Sequence, residues 1–80
     1  MEQQESIKEV FGDTILKVRL SSPIRLTQFD VACEAGISER YYADLEKGKK
    51  CPSLDVVKRI AKAFDMTLLE LITRMEGNIK

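Results

Sequence analysis

The stretch from Thr27 to Glu46, TQFDVACEAGISERYYADLE, constrains the fold more than any other part of this chain. Thr27 is a good N-cap, because its hydroxyl can accept a hydrogen bond from a free amide of the first helical turn. The residues after it place Val31, Ala32 and Ala35 on one helical face. Gly36 then falls where a helix end needs positive φ, a conformation glycine adopts without steric cost. Ser38 is a second N-cap, and Tyr42 and Leu45 give the next helix an inward face.

Two short helices, a tight glycine turn and the small Ala32 at the crossing describe a helix-turn-helix. The flanks extend the same pattern. Ser6 and Glu9 have the S-x-x-E form of a capping box, so a first helix starts there. Its apolar face is Val10, Phe11, Ile15 and Val18. Gly12 costs about 1 kcal/mol against alanine inside a helix, and we read it as a point of close helix packing. The helix should finish near Leu20, since Ser21, Ser22 and Pro23 break the pattern, and Ile24 to Leu26 connects into Thr27. After the motif, Lys47 to Pro52 is a basic loop in which Gly48 stops the helix. Ser53 caps a fourth helix with the stripe Leu54, Val57, Ile60, Ala61 and Phe64. Asp65 and Met66 form a turn, and Thr67 caps a fifth helix with Leu68, Leu71, Ile72 and Met75 on its apolar face. Gly77 and Asn78 are expected to end it. No stretch alternates with the period of a strand. The expected fold is all-α, with five helices around one core and helices 2 and 3 forming the motif. Residues 1–80 read as one domain, with 1–5 frayed and 77–80 a tail.

Composition narrows the classes of function. At 44% apolar and 32% charged residues, the chain has ordinary globular composition rather than that of disorder. No apolar run approaches a membrane span, and the N-terminus does not read as a signal peptide, so a cytoplasmic address is expected. Histidine is absent and no nucleophile–base pair is visible, which argues against catalysis. Cys33 and Cys51 stand apart with no CxxC pair; without further ligands a zinc site is rejected, and two free thiols are expected. No cofactor is implied. The net charge is zero, but residues 1–13 carry one lysine against four acids, which leaves +3 on the remainder. Lys47, Lys49 and Lys50 cluster just after the second motif helix, a local patch able to neutralise phosphates.

Phe11-Gly12, Arg19, Thr27-Gln28, Ala32, Gly36-Ile37-Ser38, Leu45-Glu46-x-Gly48, Pro52-Ser53, Ile60-Ala61 and Leu71 stand in an order that resembles the Xre/Cro/cI family. These are bacterial and phage repressor-type DNA-binding domains, so the resemblance implies a lambda-repressor-like fold. The small size and the R-Y-Y-A-D-L-E segment are similar to stand-alone controller-type regulators. Two departures are visible. The connection from Arg19 to Thr27 is about two residues longer than usual for the family, with the insertion around Ser21 to Ile24. Phe29 occupies a position usually polar; either Ile24 from the longer loop covers it, or it is an exposed apolar spot used by a partner.

By family position, the base-reading residues at the start of the second motif helix are Glu39, Arg40, Ala43 and Asp44. Arg40 can give two parallel hydrogen bonds to O6 and N7 of guanine, and Glu39 can accept from the amino group of cytosine. Ala43 is small enough to let the helix approach and to touch a thymine methyl. Asp44 is ambiguous, since phosphates repel it unless Arg40 or a lysine pairs with it. Periodicity alone would make these residues an ordinary solvated face with pairing inside the helix; the resemblance makes them readers. It also assigns backbone contacts to Gln28, Tyr41, Lys47, Lys49 and Lys50, which position without reading sequence. Tyr42 corresponds to a buried aliphatic position, and its hydroxyl is expected to reach the surface. Arg19 and Glu46 correspond to an internal ion pair; a phosphate contact by Arg19 is the lesser reading.

The resemblance therefore implies a repressor-like transcriptional regulator that binds a palindromic operator in double-stranded DNA as a homodimer. Leu69, Ile72 and Met75 offer more apolar surface than one small core needs, and are the expected dimer interface. With no room for an effector domain, control would come through concentration or a protein partner. The alternative is a protein-interaction module, such as an antitoxin or co-regulator, that retains the same fold.

Overall fold

A computed structural model describes residues 6–78; the segments 1–5 and 79–80, and with them the expected frayed start and the end of the tail, lie outside the described residues. Ser6 opens the first helix with both halves of a capping box: its hydroxyl accepts from the Glu9 amide, and the Glu9 carboxylate accepts from the Ser6 amide. The helix, α1, runs Ile7–Ser21, followed by α2 Gln28–Ala35, α3 Glu39–Glu46, α4 Leu54–Ala63 and α5 Leu68–Asn78. Among the described residues there is no strand. Thr27, Ser38 and Ser53 cap α2, α3 and α4 through their hydroxyls. Thr27 with Asp30, and Thr67 with Glu70, form two further reciprocal capping pairs.

Three helices stop in the same way. Gly36, Gly48 and Asp65 all have positive φ. In each case the next amide reaches back five residues: Ile37 to Ala32, Lys49 to Asp44, and Met66 to Ala61. That is the Schellman arrangement, which satisfies carbonyls left open at a helix end.

The helices close into a ring. α1 packs on α3, α3 on α2, α2 on α4, α4 on α5, and α5 returns to α1. Every helix supplies the centre: Phe11 and Ile15, Val31, Tyr42 and Leu45, Ile60, and Leu71 are all essentially inaccessible to water. Burying each such side chain contributes about 1.5–3 kcal/mol. The seam between α1 and α3 depends on Gly12. A Cβ at that position would run into the carbonyl oxygen of Leu45, with that of Glu46 only 2.8 Å away.

Five details differ from the sequence reading. Leu54 is 66% exposed, because the packing of α4 against its neighbours begins at Val56 and Val57. Gly77 does not end α5, which continues through Asn78. Asn78 is no loose tail residue, since its amide donates to Asp13 (3.0 Å) and Thr14 (3.1 Å) while its oxygen accepts from Lys17 (3.0 Å). The Tyr42 hydroxyl does not reach the surface but is buried without a hydrogen-bond partner of good geometry. Finally, Ile24 and Phe29 are both exposed, at 68% and 57%, so Ile24 does not cover Phe29.

Candidate nucleic-acid interface

The face of interest is built where α2 and α3 begin. Ser38 holds the first turn of α3 through the Tyr41 amide (3.1 Å), and Tyr42, Leu45 and Glu46 turn inward. The helical period then fixes the outward positions. Glu39 and Arg40 are exposed, while Ala43 and Asp44 are half-buried at the edge of the same face. Arg40 enters no ion pair among the described residues, so the internal pairing with Asp44 that would make this an ordinary solvated face is not formed. Lys47, Lys49 and Lys50 are all exposed beyond the end of α3. The ring of Tyr41 packs partly against the core, leaving it half-buried.

Behind this face lies a polar cluster. The Arg19 guanidinium donates twice to Glu46, from Nε to Oε2 (2.6 Å) and from Nη2 to Oε1 (3.1 Å), and once to the Leu26 carbonyl (3.1 Å). Gln28 donates from its amide to Glu46 Oε1 at 2.8 Å. Burial works to raise the Glu46 carboxyl, but the hydrogen bonds from Arg19 and Gln28 outweigh it and hold the group below the ordinary carboxylate range. Its charge, through the hydrogen bond, pushes Arg19 further up. Burial first, then the neighbouring Glu46, raises the Tyr42 hydroxyl far beyond the usual tyrosine range. The cluster ties α1, α2 and α3 together at the angle of the motif. It also engages the Gln28 amide, which is half-buried.

The structure brings Gln28 and Glu39 into one cleft, which is also lined by Pro23, Arg25 and Leu26 of the α1–α2 connection. Arg25 is exposed there. From the sequence, Ile24 to Leu26 reads only as a connection; the signal for Arg25 was a cation just after the expected insertion. The proposed interface residues on α5 lie away from this face. Leu69 is 73% exposed and Ile72 is at 36%, whereas Met75 packs against the domain's own core, four residues along from buried Leu71. The apolar strip is therefore narrower than the spacing suggests. Cys33 and Cys51 are both exposed and unbridged. Among the described residues no helix is long and apolar enough to cross a membrane.

A comparison with known families matches residues 17–71 to the helix-turn-helix family. The chain belongs to that family, of Xre/Cro/cI type. The match spans the whole motif, the α1–α2 connection, α4 and the first turn of α5 through Leu71. Within the family, the transcriptional repressor RstR of a cryptic CTXphi phage in Vibrio cholerae is 35% identical over 54 residues. This covers 68% of the present chain but only 49% of RstR, about half its length. The control protein C.BamHI of Bacillus amyloliquefaciens is 30% identical over 67 residues, 84% of this chain and 82% of that one. Among solved structures, the restriction-modification controller protein C.AhdI of Aeromonas hydrophila superposes with a TM-score of 0.73 at 26% identity, covering 80% of this chain and 94% of that one. The five-helix, all-α architecture is thus the lambda-repressor-like fold of the family.

Proposed function

We propose that this protein is a sequence-specific DNA-binding transcription regulator, repressor-like and cytoplasmic, that grips a two-fold symmetric operator as a homodimer. One observation carries the reading: α3 begins with exposed Glu39 and an exposed Arg40 outside any ion pair among the described residues, Gln28 shares a cleft with Glu39, and three exposed lysines follow just beyond the end of α3. In such a motif the second helix enters the major groove and its N-terminal residues face base edges. Arg40 suits a guanine, Glu39 a cytosine amino group, and Ala43 permits close approach, with Asp44 at the margin. Gln28, the Tyr41 hydroxyl and the lysines supply backbone contacts. The names of the relatives, a repressor and a control protein, support the same reading.

The deciding experiment is a salt titration of binding to a random-sequence duplex. Phosphate contacts give a steep negative slope of log K against log salt. Lys49→Gln with Lys50→Gln is expected to flatten that slope by roughly one unit per lost contact, and to weaken all sequences about equally. A loss confined to the preferred site would mean that the lysines read bases. Arg40→Ala is expected to cost about 1–3 kcal/mol on the preferred site and to relax one base pair per half-site. Site selection from random DNA checks this, and an unchanged preference at every position would remove Arg40 from the readers.

Dimerisation is assigned to α5. Leu69 and Ile72 are apolar and exposed in the single chain, and a two-fold axis can bury such a strip against its own copy. The same axis would set two α3 helices about 34 Å apart, one turn of DNA. Leu69→Glu with Ile72→Glu should give a folded monomer with weaker operator affinity, and sedimentation of the double variant as a dimer would move the interface elsewhere. A second reading, a module that holds a protein partner, draws on uncovered Phe29 and Ile24. The absence of any salt slope in the titration would favour it.

A further inference from the structure

The longer α1–α2 connection places a cation beside the motif, and its surroundings fix what that cation can meet. Pro23 has its φ locked by its ring. The amide of Ile24 donates to Ser22 Oγ (3.3 Å), and two residues after Arg25 the chain is already at Thr27, the cap of α2. Leu26 packs against the core, and its carbonyl accepts from Arg19. Arg25 thus projects from a tethered loop. It enters no ion pair among the described residues. Arg19, which lines the same cleft, is committed to Glu46, so its charge is already compensated. Gln28, whose amide donates to Glu46, lines this cleft as well. One guanidinium outside any ion pair among the described residues and one side-chain amide lining the same cleft suit an oxyanion, since charge-assisted bonds from a planar guanidinium to phosphate are among the stronger ones. Glu39 lines the cleft too, and a carboxylate repels an anion, so the oxyanion would have to sit nearer Arg25 than Glu39.

We infer that the inserted connection adds a DNA backbone contact: Arg25, with Gln28, holds a phosphate at the edge of the half-site. This rests on the DNA-binding reading above. Arg25 contributes affinity without base preference, because phosphate contacts position and base contacts specify.

The test compares wild type, Arg25→Gln, Arg25→Lys and the Lys49→Gln, Lys50→Gln variant in salt titrations on a random-sequence duplex, followed by site selection. Arg25→Gln should lower the slope by ~0.9, so that between about 50 and 200 mM salt it loses about 3.5-fold less affinity than wild type. Arg25→Lys should keep the wild-type slope, because a phosphate answers to charge, and the selected site should be the same for all three. Thermal midpoints should not move, because the side chain is exposed. A wild-type slope in Arg25→Gln, with the lysine variant flattened, overturns this inference alone. A changed base preference in Arg25→Gln also overturns it, by making Arg25 a reader. A wild type with no salt-dependent binding overturns the DNA-binding reading and this inference together, and does so before any variant is measured.

Discussion

Gly12→Ala is expected to destabilise the domain by about 3 kcal/mol, although alanine is the better helix former. In an exposed helix the change would gain about 1 kcal/mol. Here the added methyl meets main-chain carbonyl oxygens of Leu45 and Glu46, and the Gly48 nitrogen stands 3.0 Å away. Backbone atoms cannot rotate aside as a side chain can. The α1–α3 seam must open instead, and overpacking of this kind costs about 1–3 kcal/mol and occasionally more. For a domain of this size the midpoint of thermal unfolding should fall by roughly 10–20 °C. Gly77→Ala is the matched control: it sits in α5 with nothing within 4 Å of the added carbon, and should stabilise by about 0.5–1 kcal/mol. A neutral Gly12→Ala would show that α1 and α3 can separate without loss.

Glu46→Ala is expected to be as damaging for a different reason. It strands the Arg19 guanidinium, whose side chain is only 13% exposed, and removes the acceptor of the Gln28 amide. Breaking one partner of a buried pair typically costs about 3–5 kcal/mol. Arg19→Met with Glu46→Leu should recover much of this, since neither charge is then left alone. Stability should also depend on pH in a set direction. The Glu46 carboxyl is held below its ordinary value in the folded chain. Its contribution is therefore complete above the unfolded value of about 4.3 and declines as pH falls through the lower folded value. Arg19, raised further, stays charged throughout that range. The gap in stability between wild type and Glu46→Gln should narrow in acid. A gap that is constant down to the acid limit would mean that the carboxylate contributes packing rather than charge.

What could be read from the chain was what local chemistry decides. The caps at Ser6, Thr27, Ser38, Ser53 and Thr67 depend on neighbours three residues away, and each stands where its sequence placed it. Gly36 and Gly48 adopt the left-handed conformation for the same reason. The misjudged residues depend on where distant elements stop. Leu54 has an inward register but lies before the point at which α4 meets its neighbours. Asn78 does stand at the end of α5, but its bonds to α1 emerge only when α1 is laid beside it. Tyr42 has a hydroxyl that ordinarily seeks water, yet it is buried near the Arg19–Glu46 pair, a place that its own helix does not reveal. The outward face of α3 follows from helical period alone. Its neighbour Arg25 does not, because an irregular loop carries no period to say which way a side chain turns.

The way α3 is held has an evolutionary corollary. Its attachment runs through Tyr42, Leu45 and Glu46, with the Tyr41 ring against the core, while Glu39 and Arg40 contribute nothing to the interior. Exposed substitutions away from such anchors usually change stability by less than about 0.5 kcal/mol. Residues 39 and 40, and within limits of size 43 and 44, can therefore drift through many chemistries while the scaffold persists unchanged. A lineage built on this scaffold can diversify its surface vocabulary without first acquiring compensating mutations in its core.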